Sequence, residues 1–243
     1  FELIDNVYTK WEEVFNSYEK INYKFDTNSQ DGFFPFRSES AKDNPIKDLK
    51  EFFHVYPNTN LPNFLSKNTN LLYSELVSLG NTLLGWLDDL TPNNIKSEFS
   101  ESLFNMSKGS DRNLLRVLHY PPVEGEVEQG AIRAAAHEDI NLITLLVSGS
   151  QPGLEAMDMN GVWHKVPVDK GMITVNVGDM LQMASNKYFP STSHRVVNPE
   201  NSKQNVSRFS LPMFMHPRNE VILRSGITAF DYLQERLKEI NLK

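Results

Sequence analysis

Apolar residues recur at steps of three and four near the start of the chain: Leu3, Val7, Trp11, Val14, Phe15, Tyr18 and Ile21. That spacing predicts an amphipathic helix. A second stripe, Leu71, Leu72, Leu76, Leu79, Leu83, Leu84 and Leu87, predicts another helix from Asn68 to Leu90. Thr91 is then expected to cap a following helix, with Pro92 at its first position. Between the stripes lies "DGFFPFRSESAKDNPIKDLKEFFHVYP", rich in Pro, Asn and aromatics. It reads as a structured loop followed by a short helix from about Pro45 to Phe53.

After Gly109 the pattern changes to short β-type runs separated by turn signals. They are Asn113–His119, Ala131–Ala136, Asn141–Val147, Leu154–Met159, Gly161–Val166, Met172–Val177, Met180–Ala184, His194–Val197 and Ser207–Met213. Asn160-Gly161 is a strong hairpin signal, and "VGDML" marks another turn. Runs at this spacing predict a sandwich or jelly roll rather than a parallel sheet. "TAFDYLQERLKEINLK" closes the chain as a helix, with Thr228 as its cap and Asp231 as a capping-box partner. The expected fold is therefore mainly β with packed helices. Residues 1–110 form a mostly helical region on the core, residues 111–243 supply the core and its C-terminal helix, and the two make one structural unit.

Composition narrows the chemistry. The chain has 243 residues, a net charge of −7 and no cysteine. Disulfides, thiolate nucleophiles and cysteine metal sites are excluded. An acidic chain without a basic cluster is a poor match for nucleic acid. No apolar stretch reaches the roughly 18–20 residues needed to span a bilayer. No signal peptide is visible, and the expected location is the cytoplasm. The chain opens at Phe1 without methionine, so a preceding segment is expected.

The run Leu142–Val147 reads as a buried strand, yet "HED" stands at its mouth. Positions i and i+2 of a strand share a face, so His137 and Asp139 are expected to project together while Glu138 points away. His194, well downstream at the start of another predicted strand, is the candidate third ligand. Two imidazoles and one carboxylate make the facial triad of non-haem Fe(II) oxygenases, and the lack of thiolates favours iron over structural zinc. A lone H-x-D is weak evidence by itself. His119 and His164 read as strand or turn residues, His216 as a loop residue, and His54 as an exposed helix end.

A second pair strengthens the case. "RFS" places Arg208 and Ser210 on one strand face, where a guanidinium fork and a hydroxyl suit a carboxylate. An inward arginine among Phe209, Leu211, Met213 and Phe214 is costly unless an anion meets it. The alternative is an arginine paired with a protein carboxylate. Tyr120 offers a phenol to the same anion.

The blocks "LLRVLHYPP", "AHEDINLITLL", "PGLEAMDMNGVW", "VNVGDMLQMASN", "STSHRVVNP" and "RFSLPMF" occur in the order seen in isopenicillin N synthase-like Fe(II)/2-oxoglutarate-dependent oxygenases. The chain resembles that family over about residues 112–215. The resemblance implies a double-stranded β-helix (jelly-roll) core. It implies His137, Asp139 and His194 as iron ligands, with Arg208 and Ser210 clamping the distal carboxylate of 2-oxoglutarate and Tyr120 nearby. Dioxygen and a small-molecule substrate complete the implied reaction. Three departures stand out: Leu118 occupies a position where the family often has Asn, the stretch from His194 to Arg208 is longer than usual, and the family's opening strand is missing. Two other readings fit the same residues, namely a substrate-only oxidase that uses no 2-oxoglutarate and a silent jelly-roll binding module.

Overall fold

The computed structural model describes residues 2–42, 44–125 and 127–239. The chain begins with α1 (Glu2–Asn16) and a 3-10 turn, followed by strands β1 (Gly32–Phe34) and β2 (Glu51–Val55). Helices α2 (Asn63–Leu90), α3 (Asn93–Lys96) and α4 (Leu103–Ser107) come next. The core then runs β3 (Leu114–Tyr120), β4 (Ala134–His137), β5 (Ile143–Val147), β6 (Leu154–Met157), β7 (Trp163–Lys165) and β8 (Ile173–Val177). It finishes with α5 (Asp179–Ala184), β9 (His194–Val196), β10 (Arg208–Met215), β11 (Ile222–Arg224), β12 (Ile227–Thr228) and α6 (Ala229–Glu239). The last four residues of the expected C-terminal helix, 240–243, lie outside the described residues.

Two antiparallel sheets make the jelly roll. The larger has the order β1-β2-β3-β10-β5-β8 and the smaller β4-β9-β6-β7. Strand alternation divides the larger sheet into two faces. On β2, β3 and β10, the residues Phe53, Val55, Leu115, Val117, Phe209, Leu211, Met213 and Met215 face one cluster. The apolar stripes of α1 and α2, through Val7, Trp11, Phe15, Leu65, Leu72 and Leu76, join that cluster and cover the outer face. The alternate residues Phe52, Leu118 and Tyr120 turn inward toward the smaller sheet, along with Arg208, Ser210 and Phe214 of β10. No helix among the described residues is long and apolar enough to cross a membrane.

Several expectations need correction. The run Pro45–Phe53 is not helical; its end is β2. Phe52 and Phe53 are both buried because this strand is covered on both faces. The region before residue 110 therefore supplies two strands of the larger sheet, and β2 pairs directly with β3. Met180–Ala184 belongs to the helix α5, where Met180, Leu181 and Ala184 are buried at helical spacing. Thr91 closes α2 rather than opening the next helix, and its N–H reaches back to the carbonyls of Leu87 and Asp88. The first helix ends at Asn16, leaving Tyr18 and Ile21 exposed. Thr228 does cap α6: its Oγ1 accepts from the Asp231 N–H at 3.1 Å and donates to the Asp231 carboxylate at 2.7 Å. The Asn160-Gly161 turn joins β6 and β7, with Gly161 at φ 80°.

Candidate metal centre and co-substrate pocket

His137, Asp139 and His194 come together at one end of the two sheets, their potential ligand atoms all within 4.8 Å of one another. Backbone pairing produces this: His137 on β4 and His194 on β9 are register partners. Asp139 arrives differently from the sequence expectation. β4 ends at His137, so Asp139 lies in the turn beyond it and is not carried on the same strand. That turn is fixed by the Asp139 carbonyl, which accepts from the Asp179 N–H at 2.7 Å.

Each of these three side chains is oriented by a second partner. His137 Nδ1 donates to the Ala135 carbonyl at 2.7 Å, and His194 Nδ1 to the Thr192 carbonyl at 3.0 Å. A carbonyl only accepts, so both protons sit on Nδ1 and both Nε2 lone pairs are left for a metal. Asp139 Oδ2 accepts from Thr144 Oγ1 at 2.6 Å and Asn176 Nδ2 at 2.9 Å. Its Oδ1 lies 3.7 Å from His194 Nε2. Burial opposes ionisation of Asp139, but the two imidazoles and these hydrogen bonds outweigh it and hold the carboxyl below its ordinary range. Burial, reinforced by His194, pushes the His137 imidazole down to about 4. The donor set is two imidazoles and one carboxylate whose potential ligand atoms lie within 4.8 Å of one another, which fits Fe(II). Glu138, expected to point away, is paired with Asp179; burial and that neighbour raise its carboxyl.

Gly178 sits directly against this turn. A Cβ there would lie 2.3 Å from Asn141 Oδ1, 2.4 Å from the Asn141 carbonyl oxygen and 2.8 Å from that of Asp139. Two of those contacts are backbone and cannot swing aside. Gly178→Ala is expected to cost about 1–3 kcal/mol in urea unfolding, as overpacking does, and to weaken metal binding by moving Asp139. Unchanged values in both measurements would contradict this account of the turn.

Arg208, Ser210 and Tyr120 form the end of a smaller pocket of about 80 Å³ that also reaches His137, Asp139 and His194. Arg208 is 2% exposed. Its Nε donates to the Gln151 carbonyl at 2.9 Å, whereas Nη1 is buried without a hydrogen-bond partner. The guanidinium lies 5.1 Å from the Tyr120 ring centre. Burial raises the Tyr120 phenol although Arg208 pulls the other way. Gly149 leaves room for the fork, since a Cβ there would come within 2.9 Å of Nη2. Arg208 forms no ion pair among the described residues, so its surroundings fit an incoming carboxylate, as 2-oxoglutarate would supply. Leu118 lines the same pocket opposite Ser210, its register partner.

Pattern reading missed several groups here. Arg133, 2% exposed, has Nη2 on the Val206 carbonyl at 2.6 Å and an Nε without a partner. Burial and the nearby Arg208 both lower its guanidinium, so two uncompensated arginines share this end of the barrel. His54 is not an exposed helix end. It is 4% exposed on β2, donating from Nδ1 to the Gln30 carbonyl at 3.0 Å and accepting from Arg116 Nε at 2.9 Å. His119 is buried between Glu51 and Ser207. His164 is an exposed residue of β7 paired with Asp158, and His216 is buried, with Nδ1 on the Phe214 carbonyl. Arg37 pairs with Glu128 on the surface.

A larger cavity of about 540 Å³ is lined in part by His137 and Asp139. It shares Lys50, Arg116, His137, Asp139 and Phe214 with the smaller pocket. The stretch "DGFFPFRSES" contributes Glu39 and Ser40 to its lining and "NKYFPSTS" contributes Ser193, while the aromatics of both lie elsewhere.

Two facing antiparallel sheets with a His-Asp-His face and a buried arginine behind it define a jelly-roll non-haem oxygenase. Comparison with known proteins agrees. Residues 112–217 match the 2OG-Fe(II) oxygenase superfamily. A proline hydroxylase of Petromyces alliaceus is 30% identical over 230 residues, which is 81% of this chain and 70% of that one. A 2-oxoglutarate-Fe(II) type oxidoreductase of Metarhizium rileyi is 37% identical over 142 residues, 51% of this chain but only 40% of that protein's length. Among solved structures, a candidate oxygenase from Shewanella oneidensis superposes with TM-score 0.86 at 47% identity, covering 98% of this chain and 85% of that one. A Neurospora crassa protein in complex with alpha-KG and thymine shares the fold with TM-score 0.78 at 24% identity, over 98% of this chain and 83% of that one. The chain belongs to the 2OG-Fe(II) oxygenase superfamily, whose name states its metal and co-substrate.

Proposed function

We propose that this chain is an Fe(II)- and 2-oxoglutarate-dependent dioxygenase that oxidises a small molecule held in the 540 Å³ cavity. One observation carries this reading: two cavities meet at His137 and Asp139, the smaller reaching His194 and the buried guanidinium of Arg208, whose Nη1 has no hydrogen-bond partner, and the larger offering about 540 Å³ beside them. Iron and 2-oxoglutarate, when bound, supply an oxidant for a C–H bond as the keto acid loses carbon dioxide.

The protein's part is placement. His137, Asp139 and His194 would hold the metal from one side and leave its other side open to both cavities. Arg208 would take the distal carboxylate through its fork, with Ser210 adding a hydroxyl donor and Tyr120 closing the wall. Phe52, Leu118 and Phe34, all buried inside the barrel, would keep bulk water from the reacting centre.

The test is Fe(II)-loaded protein supplied with 2-oxoglutarate, oxygen and fractionated metabolites. Succinate is expected only when metal, keto acid and oxygen are all present. Substrate oxidation without 2-oxoglutarate consumption would instead establish a substrate-only oxidase. No binding of 2-oxoglutarate at millimolar concentration and no turnover would point to a silent binding module.

A further inference from the structure

We infer that the substrate presented to the metal is uncharged and carries amide-type N–H and C=O groups, and that the large cavity binds no substrate carboxylate. This rests on the oxygenase reading above and adds the substrate class.

The cations lining the cavity are already matched. Lys50 lies 2.7 Å from Glu39 and 2.8 Å from Asp48. Arg116 meets Glu39 at 3.3 Å. Nearer the mouth, Lys42 and Arg236 both pair with Glu239, at 2.9 and 2.8 Å, and Arg112 lies 3.4 Å from Asp111. The contrast with the co-substrate end is direct. Arg208 and Arg133 are more deeply buried than any of these and form no ion pair among the described residues. The difference lies in ion pairing: each cation of the substrate wall has a carboxylate within 4.0 Å, although Arg112 Nε and Arg236 Nε make no hydrogen bond, whereas Arg208 and Arg133 have no such carboxylate among the described residues.

The part of the wall beside the triad is also electrically balanced. Glu39 and Asp48 offset Lys50 and Arg116, and His54 is held neutral by donating to Gln30 and accepting from Arg116. A substrate carboxylate could still reach unused N–H groups of Lys50 and Arg116, but it would add a buried negative charge to a set whose charges already cancel. A substrate ammonium would face the same problem with Lys50 and Arg116. Carboxylates already outnumber cations over the whole lining.

Hydrogen-bonding capacity remains of both kinds. Arg116 uses three contacts of its five-hydrogen fork, and Lys50 uses two of three hydrogens. Glu39 retains lone pairs, and His216, with its proton on Nδ1 toward the Phe214 carbonyl, offers Nε2 as an acceptor. Arg116 is held in place by its guanidinium stacking 4.6 Å from the Phe52 ring and 5.6 Å from that of Phe214, besides its contacts to Glu39 and His54. Fixed donors beside fixed acceptors suit an amide edge, in which N–H adjoins C=O. Phe230, Leu233 and Leu237 of α6 supply apolar lining for the rest of such a molecule.

The test uses probes matched in skeleton and different in charge: uracil against orotate, N-acetylprolinamide against N-acetylproline, and 5-(aminomethyl)uracil as the cation. Calorimetry on anaerobic protein loaded with Mn(II) and 2-oxoglutarate reads each affinity. The uncharged member of each pair is expected to bind at least about tenfold more tightly than its charged partners. A charged member that binds as well or better overturns the inference, as does failure of both uncharged probes at millimolar concentration. The loading titration separates the two levels. If 2-oxoglutarate does not bind, the oxygenase reading fails; if it binds and the pairs invert, only the substrate class fails. Glu39→Gln adds one net positive charge to the array and is expected to shift the preference toward orotate by about tenfold. An unchanged preference in folded Glu39→Gln counts against the inference, and where that variant does not fold the wild-type pairs decide.

Discussion

Alanine at His137, Asp139 or His194 is expected to lower Fe(II) affinity by well over the roughly 10–100-fold that losing one outer partner costs. Each substitution removes one of the three candidate ligands, whose potential donor atoms lie within 4.8 Å of one another. The three variants should differ in stability. His137 and His194 are only half-buried at the barrel mouth, so the metal-free proteins should unfold near the wild type. Asp139 is buried and accepts from Thr144 and Asn176, so Asp139→Ala leaves two donors unpaired, at a cost of about 1–3 kcal/mol. Asn176→Ala and Thr144→Val keep all three ligands but release the carboxylate, and should weaken the metal by about 10–100-fold. Metal titration alongside urea unfolding of the metal-free proteins tests all five variants. Wild-type affinity in any of the three ligand variants removes that residue from the site.

Much of this site was legible because strand periodicity writes it into short spacings. Arg208 and Ser210 alternate with Phe209 and Leu211, and the structure sends the first pair inward and the second under the helices. His137 and His194 stand at the ends of recognisable strands. The pairing of His137 with Asp139 was found by a rule that does not apply to it, since a turn and not a strand face delivers the carboxylate. Glu39, Asp48, Lys50 and Arg116 were not legible at all. Glu39, Asp48 and Lys50 lie in the stretch that reads as a structured loop and short helix, and Arg116 lies on β3. Their partners are up to 77 residues away, as Arg116 and Glu39 are, and no local pattern records such a pair. Arg133 is hidden for a similar reason: its hydrogen-bond partner, the Val206 carbonyl, is 73 residues away. β2 was misread because covering both faces removes the alternation that marks a strand.

Arg208→Met is expected to weaken 2-oxoglutarate binding by some two to three orders of magnitude while leaving iron affinity nearly unchanged. The wild-type guanidinium is 2% exposed, with Nη1 unpaired. A carboxylate that reaches it gains charge-assisted bonds in a site screened from water, and one that arrives without it is buried alone. Breaking such a pair from one side costs about 2–5 kcal/mol, and each 1.4 kcal/mol is about a factor of ten. Arg208→Lys should recover only part of the loss, because an ammonium cannot reproduce the fork. Ser210→Ala removes a single donor and should cost about 1 kcal/mol. Stability should move the other way. Without ligand, Arg208 is a buried cation beside a second one, Arg133, and replacing an uncompensated buried charge with an apolar side chain of similar length is neutral or stabilising. The ligand-free Arg208→Met protein should therefore unfold at the same urea concentration as wild type or a higher one. That opposition separates loss of a clamp from local collapse, which would lower affinity and stability together. Anaerobic titration of the Fe(II) protein with 2-oxoglutarate, paired with urea unfolding of the ligand-free chain, measures both. Affinity within about threefold of wild type in Arg208→Met would remove Arg208 from the co-substrate site, and a marked fall in stability would show that its charge is compensated by the protein itself.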